Sequence, residues 1–191
     1  MVVYVNILVA QSRFTLEART VQEPIERAQS KLGGLLSRGP GQILFYDRGQ
    51  PYFEFTNFSD HPIRYNGKDY PTSEHLFQSL KRQFEDNTII EMIRTQPTPR
   101  AAFDMAQKYK TSVRQGWHDK QLNIKTMEKA ILLKFTQHED LRKMLVSTGD
   151  ALLKENSPTD RFWGIGADGQ GENRLGLALM KVRELLKTFD K

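Results

Sequence analysis

Three polar residues, Glu74, Gln78 and Lys81, follow one another at spacings of four and three. On a helix, residues at these spacings lie along one line of the surface. A carboxylate, an amide and an amine aligned at the edge of a core could form one wall of an active site. A solvated helix face would give the same pattern, with Glu74 favouring the helix dipole. The spacing therefore indicates a candidate site without establishing one.

The helix that would carry these side chains has a clear start and an apolar face. Thr72 and Ser73 are good N-cap residues, and they predict a helix that runs from Ser73 to about Phe84. Phe77, Leu80 and Phe84 recur at spacings of three and four beside the polar line. We therefore expect this face to be buried, with the polar line at its edge.

The residues before this helix are typical of short strands. Residues 43–46 and 52–55 are rich in aromatic and aliphatic side chains and are separated by a turn. Residues 62–65 meet residues 68–70 across Asn66-Gly67, which is a strong hairpin signal. The sequence predicts a small antiparallel sheet that leads into the helix at Ser73.

Helical periodicity dominates the rest of the chain. The predicted helices cover residues 89–94, 100–108, 123–138 and 141–149, and a C-terminal helix carries an apolar seam from Leu175 to Phe189. These elements favour an α+β fold: one predominantly helical domain, residues 42–191, with a small antiparallel sheet to one side. Residues 1–41 are interpreted as an N-terminal extension with a strand at 2–10, a helix at 23–36 and an uncertain role.

Composition limits the classes of function. The chain has 191 residues, a formal net charge of +5 and no cysteine, which excludes disulfides, thiolate zinc sites and a cysteine nucleophile. The four histidines, at positions 61, 75, 118 and 138, lack metal-ligand spacing, so we expect neither a metal nor another cofactor. No window is apolar enough for a membrane helix. A cytoplasmic protein is expected, and the charge permits a phosphorylated or nucleic-acid ligand.

A glycine-rich segment, residues 158–176, precedes the C-terminal helix. Its residues 164–169 match G-x-G-x-x-G, but no strand precedes them and no helix opens inside the motif, so a dinucleotide fold is rejected. Backbone N–H groups of such a loop, next to a helix start near Asn173, are suited to anion binding. Asp160 and Trp163 begin the segment, and we expect it to close over Glu74.

Two further residues could contribute to a site. Asn57, at the end of a predicted strand, could direct its amide toward the helix wall, although turn capping is the commoner role. Trp117 follows a locally basic stretch and could stack on a base, although a buried tryptophan is the more frequent outcome.

Several blocks of the chain resemble the signature blocks of the NADAR family, within which the YbiA-like members are the most similar. The similarity spans about residues 42–189, in order and at compatible spacing. The blocks are residues 55–58, 65–81, 117, 134–135, 145–149, 160–164 and 171–176.

The resemblance implies an N-glycosidase, a hydrolase that cleaves the bond between ribose C1′ and nitrogen. YbiA-like members are associated with phosphorylated ribosylaminopyrimidine intermediates of riboflavin biosynthesis, so a phosphorylated riboside is the first expected substrate. Other members remove ADP-ribose from guanine, which makes ADP-ribosylated nucleic acid the alternative. A module that binds NAD or ADP-ribose without turnover is a further alternative. The oligomeric state is not implied.

The resemblance also implies roles for individual residues. Glu74 is the expected sugar-side carboxylate or water-activating base, and Asp160 is the second candidate. A lysine could instead capture the opened sugar as a Schiff base, and Lys68 and Lys81 are equally suited by position. The expected substrate-binding residues are Asn57, Phe58, Gln78, Trp117, Trp163, Gly164, Gly166 and Asn173, with the glycine loop holding phosphate.

Overall fold

The structure, a computed structural model, describes residues 41–81 and 87–188. The strand and helix expected within residues 2–36 lie outside the described residues, as do Phe84 and Phe189. The helices are α1 (Ser73–Leu80), α2 (Asn87–Arg94), α3 (Pro99–Lys108), α4 (Leu122–Gln137), α5 (Glu139–Ser147) and α6 (Arg174–Lys187). The strands are β1 (Gln42–Phe45), β2 (Ile63–Tyr65), β3 (Lys68–Tyr70) and β4 (Leu152–Glu155). The predicted class, a mainly helical α+β domain with an antiparallel pair, is confirmed.

The predicted hairpin forms and leads into α1. Strands β2 and β3 pair antiparallel, with Ile63 opposite Tyr70. Asn66 and Gly67 both adopt left-handed backbone angles, with φ of 50° and 76°, which is the geometry that a two-residue hairpin turn requires. Thr72 then caps α1 by accepting a hydrogen bond from the backbone N–H of His75.

The other strand pair differs from the prediction. Strand β1 pairs in parallel with β4, which comes more than 100 residues later, and Phe45 lies opposite Glu155. Residues 52–55 were expected to form a strand with β1, but Phe53–Phe55 is a 3₁₀ turn. Tyr52 adopts a left-handed conformation with φ of 65°, which interrupts any extended run at this point.

Helices α4 and α6 carry most of the core that supports these strands. The main cluster contains Phe45, Phe55, Phe77, Trp117, Met127, Ile131, Phe135, Leu141, Leu145, Leu153, Leu175, Ala178, Leu179, Val182 and Leu186. Gly176 lets α6 approach β4 closely, because a Cβ at this position would overlap the carbonyl oxygen of Leu153. No helix among residues 41–81 and 87–188 has the length and apolar character needed to cross a bilayer.

Candidate active site

A cavity of about 470 Å³ opens beside the N-terminal half of α1. Its walls come from the segment after β1, the 3₁₀ turn and the loop that follows it, α1, the start of α3, and the segment from the end of β4 through the glycine-rich loop. The lining residues are Tyr46, Asp47, Arg48, Phe53, Thr56, Asn57, Phe58, Glu74, Phe77, Gln78, Arg100, Phe103, Met127, Glu155, Ser157, Thr159, Asp160, Trp163 and Leu175. The volume is in the range of pockets that hold small organic ligands.

Glu74 lies in the first turn of α1 and lines this cavity, with only 6% of its surface exposed. Its backbone N–H donates to the carbonyl oxygen of Asn57 at 3.1 Å, and Gln78 Nε2 donates to Glu74 Oε1 at 2.8 Å. Burial raises the pKa of Glu74 to about 7, although the Gln78 hydrogen bond and the charge of Lys81 act to lower it. A carboxyl that titrates near neutral pH can exchange protons with a substrate.

Glu155 is a second carboxyl on the cavity wall and is partly buried; its position was not predicted from the sequence. It ends β4, and its Oε2 atom is buried without a hydrogen-bond partner in the described part of the protein. Burial, followed by repulsion from Asp160 and Glu74, raises the pKa of Glu155 to about 8. Both effects favour the protonated form of this carboxyl. The only signal in the sequence was the short run that forms β4, which lacks the alternation of a recognisable strand.

Asp160 also lines the cavity, and its carboxylate organises the loop around it. Its Oδ1 accepts hydrogen bonds from the backbone N–H groups of Phe162 at 2.8 Å and Trp163 at 2.7 Å. These bonds hold the Trp163 ring at the cavity, where it packs edge-on against Phe77 at a centroid distance of 5.4 Å. The predicted approach of the glycine-rich loop to Glu74 is therefore present, with Trp163 as the aromatic wall.

Several backbone amides of the glycine-rich loop, which we expected to bind an anion, are bonded within the protein. The N–H of Gly166 donates to the carbonyl of Asp160, that of Gly171 to Ile165 and that of Asn173 to Gly164. The loop is thus bonded to itself, because its glycines allow the chain to fold back tightly. Gly164 lies against β4, since a Cβ there would be 2.8 Å from the carbonyl oxygen of Glu155. Gly164 and Gly166 therefore shape the loop.

Asn173 has a different role from the expected contact with substrate. Its Oδ1 accepts from the backbone N–H of Glu155 at 3.0 Å, and its Nδ2 donates to the carbonyl of Leu153 at 2.8 Å. Both ends of the amide are therefore engaged by the backbone of β4. Asn173 fixes the position of Glu155 rather than lining the cavity.

Two of the other expected binding residues line the cavity, and one lies in the core. Asn57 and Phe58 belong to the loop after the 3₁₀ turn, and Asn57 Nδ2 lies 3.1 Å from the sulfur of Met127. Trp117 is 3% exposed and packs against Phe77 within the main hydrophobic cluster. Trp117 is not among the lining residues, so it supports the cavity wall through its contact with Phe77.

The two lysines considered for a Schiff base are not among the lining residues. Lys68 extends from β3 and forms an ion pair with Glu91 on α2. Lys81 follows the last turn of α1, and its charge acts to lower the pKa of Glu74. The lining residues among those described include two arginines, Arg48 and Arg100, which the sequence analysis did not consider.

A buried lysine holds the loop that carries Asn57. Lys134 on α4 is 1% exposed, and its Nζ donates to the carbonyl oxygens of Glu54 and Thr56 and to Ser59 Oγ. Burial lowers the pKa of Lys134 to about 7, while the three acceptors match the three donors of an ammonium group. Because Asn57 accepts the backbone N–H of Glu74, Lys134 acts on the site through this loop.

Replacing Lys134 with methionine should lower the free energy of unfolding by about 2–4 kcal/mol, since several buried acceptors lose their donor. We also expect a loss of activity at temperatures where the variant remains folded, because Asn57 is no longer fixed against α1. Urea unfolding followed by tryptophan fluorescence measures the first effect. Lys129→Met is the matched control, because Lys129 lies on the same helix with its Nζ exposed near Tyr65. Equal unfolding midpoints for the two variants would contradict this role of Lys134.

Unsatisfied polar atoms indicate what kind of ligand the cavity accepts. Among the described residues, five buried side-chain atoms lack a hydrogen-bond partner, and three of them belong to lining residues: Thr56 Oγ1, Gln78 Oε1 and Glu155 Oε2. Gln78 Oε1 can only accept, so it favours a ligand with hydroxyl or amino donors. In the same described ranges, no three His, Asp or Glu side chains are arranged to hold a metal ion.

Comparison with known proteins shows which family the chain resembles. Residues 44–187 match the NADAR domain. The chain is 40% identical to N-glycosidase YbiA of Escherichia coli over 144 residues, which are 75% of this chain and 88% of that protein. It is 42% identical to N-glycosidase Npun_R5314 of Nostoc punctiforme, over 77% and 94% of the two chains.

A third relative and a solved structure extend the comparison. The chain is 36% identical to riboflavin biosynthesis protein VVA0006 of Vibrio vulnificus, over 76% of this chain and 38% of that protein. The NMR structure of E. coli YbiA superposes with a TM-score of 0.72 at 38% identity, over 80% of this chain and 89% of that one. The protein described here therefore belongs to the NADAR domain family.

Proposed function

We propose that this protein is an N-glycosidase that hydrolyses the C1′–N bond of a phosphorylated riboside, with a ribosylaminopyrimidine phosphate as the substrate class. The observation that carries the proposal is the pair of carboxyls of Glu74, which is buried, and Glu155, which is partly buried, on one cavity wide enough for such a ligand. Two relatives named N-glycosidases and one named a riboflavin biosynthesis protein support the reaction type and the substrate class.

The reaction makes demands that these two carboxyls can meet. Cleavage at an anomeric carbon passes through an oxocarbenium-like state, so a negative charge near the sugar and a proton donor at the departing nitrogen both lower the barrier. Gln78 Nε2 donates to Glu74 Oε1, which favours the ionised form of Glu74. Glu155 Oε2 is buried without a hydrogen-bond partner in the described part of the protein, and burial with repulsion from Asp160 and Glu74 favours its protonated form. Glu74 therefore supplies the carboxylate, and Glu155 supplies the proton.

The proposed step balances with water as the only co-reactant. The C1′–N bond breaks, and its electron pair leaves with the nitrogen, which takes the proton from Glu155. A water molecule adds to C1′ and gives its proton to Glu74. Proton exchange with solvent returns both carboxyls to their starting states. Trp163 and Phe58 provide apolar surface for the base, and Gln78 orients Glu74 through its hydrogen bond.

The lining of the cavity favours this hydrolytic route over a Schiff base. A covalent route requires an amine that can reach C1′, and no lysine is found among the lining residues in the described part of the chain. Lys68 is held on another surface by Glu91. We therefore propose direct attack by water, with Asp160 holding the loop that carries Trp163.

The proposal predicts equal amounts of ribose 5-phosphate and free aminopyrimidine from a ribosylaminopyrimidine 5′-phosphate. Both products can be quantified by liquid chromatography with mass detection, against the rate of decay in buffer. An oligonucleotide carrying ADP-ribosylated guanine serves as the alternative substrate. Release at the buffer rate would refute the proposal, and release of ADP-ribose from the oligonucleotide alone would assign the cavity to that second substrate instead.

A further inference from the structure

Two arginines from separate elements contribute to the lining of the cavity. Arg48 follows β1, and Arg100 lies in the first turn of α3. Both side chains are largely exposed, at 63% and 71%, so they lie where the cavity meets solvent. The carboxyl of Glu74 and the buried Oε2 atom of Glu155 instead lie in the interior of the cavity. The mouth therefore carries two guanidinium groups, and the interior carries carboxyl groups.

Each guanidinium is placed by an aromatic ring that also lines the cavity. The Arg48 guanidinium lies 4.9 Å from the ring centre of Phe53, and that of Arg100 lies 5.3 Å from the ring centre of Phe103. An arginine that stacks on a ring keeps its N–H edges available for an anion. The rings thus hold the two cations at the mouth and leave their donors usable.

The present partners of these arginines can be exchanged for a ligand. Arg48 Nη1 lies 3.0 Å from Asp60, and Arg100 Nε lies 3.1 Å from Asp104. Both pairs are exposed to solvent, and exposed ion pairs contribute little to stability. A phosphate monoester carries up to two negative charges and several acceptor oxygens, so it competes well for a guanidinium. Asp47, the residue before Arg48, also lines the cavity and opposes an anion there, in addition to the carboxyls of Glu74, Glu155 and Asp160.

The charge distribution also sets the direction in which a phosphorylated ligand enters. The carboxylate of Glu74 repels a phosphate from the interior, and the N–H groups of Gly166, Gly171 and Asn173 are already bonded within the loop. A phosphate is therefore favoured at the arginines, while the neutral sugar carbon is placed inward. This orientation brings the anomeric carbon toward Glu74, as the proposed reaction requires.

We propose that Arg48 and Arg100 bind the phosphate monoester of the substrate at the cavity mouth and so select phosphorylated ribosides over unphosphorylated ones. The selection of phosphorylated substrates during catalysis rests on the proposed function. The binding of a sugar phosphate can be tested independently of turnover.

The test uses Arg48→Gln, Arg100→Gln and the double variant, with Arg64→Gln as the matched control. Arg64 is also an exposed arginine in an ion pair, with Asp69, but it does not line the cavity. For each protein, kcat/KM is measured with a riboside 5′-phosphate and with the same riboside lacking phosphate. The ratio of the two values should fall about tenfold in each single variant and about 100-fold in the double variant, through KM. An unchanged ratio in the double variant would overturn the inference.

A binding experiment separates failure of this inference from failure of the proposed function. Ribose 5-phosphate and ribose are titrated into wild-type protein and the double variant by calorimetry. One outcome is that the wild-type protein cleaves neither riboside and yet binds ribose 5-phosphate, while the double variant fails to bind it. That result would support the arginine site and refute the glycosidase proposal. Equal binding of ribose 5-phosphate to both proteins, or none to either, would overturn the arginine site.

Discussion

Glu74→Gln should reduce kcat with a phosphorylated riboside by about 10³-fold or more, with a much smaller change in KM. Glutamine keeps the size of the side chain and one acceptor oxygen for Gln78, but it can neither take up the proton of the attacking water nor carry a negative charge near the sugar. The loss is expected in kcat because the charge matters most in the oxocarbenium-like state. Steady-state kinetics by product release measures both parameters, and Glu139→Gln on the exposed start of α5 is the control.

Stability measurements can show that this loss is not caused by unfolding. The folded protein raises the pKa of Glu74 from 4.5 to about 7. The stability associated with this group is therefore complete below about pH 4.5 and is lost as the pH rises through about 7. Glutamine does not ionise, so the variant should match the wild type in acid and be at least as stable above about pH 7. If Glu74→Gln were fully active, or inactive only because it unfolds, the assigned role would be wrong.

Glu155→Gln should have the second largest effect, a loss of about 10²-fold in kcat together with a changed pH profile. Glu74 must be ionised to act as the base, and Glu155 must be protonated to act as the acid. Because the pKa values of these groups are about 7 and about 8, the wild-type rate should rise and then fall over this pH range. The two groups interact, so the apparent pKa values of the profile describe the pair and not either residue alone. Without the acid at position 155, the fall on the alkaline side should disappear and the rise through about pH 7 should remain.

The control for Glu155 is the residue that positions it. Asn173 holds the backbone of β4 at Glu155 and does not line the cavity, so Asn173→Ala should lower the rate while both limbs of the pH profile persist. Rates measured over about four pH units for the three proteins separate loss of the proton donor from its displacement. A Glu155→Gln enzyme that keeps the alkaline limb would show that another group donates the proton.

Local patterns in the sequence predicted the parts of the fold that depend on neighbouring residues. Thr72 capped α1 as expected, and Asn66-Gly67 formed the hairpin turn. Glu74 and Gln78 met on the helix as their spacing of four required, through a hydrogen bond of 2.8 Å. These features follow from chain geometry within a few residues, so a single sequence contains the information needed.

Features that depend on distant parts of the chain were not predictable in this way. The pairing of β1 with β4 joins segments separated by more than 100 residues, and it is this pairing that brings Glu155 to the cavity. Nothing near Glu155 in the sequence distinguishes it from a surface glutamate. The sequence around Lys134 likewise indicates only a charged residue on an amphipathic helix. Its hydrogen-bond acceptors lie some 80 positions earlier, at Glu54 and Thr56.

The glycine-rich loop shows a different limit of sequence reasoning. Its composition predicted free backbone amides, but the same glycines allow the loop to bond to itself, as the Gly171 N–H does with Ile165. Asn173 was expected to bind substrate, and the left-handed backbone at this residue, with φ of 53°, instead turns its amide onto β4. The residue types correctly indicated that this loop offers hydrogen-bonding groups. The backbone conformation, which the residue types did not reveal, determines where those groups point.

A crystal structure of Glu74→Gln protein with an intact ribosylaminopyrimidine 5′-phosphate would show how the substrate sits between the two carboxyls. We expect the ribose C1′ within about 4 Å of the side chain at position 74, with the glycosidic nitrogen beside Glu155 and the phosphate at Arg48 and Arg100. Binding of the riboside outside this cavity, or in it with C1′ turned away from both carboxyls, would show that these carboxyls do not carry out the reaction.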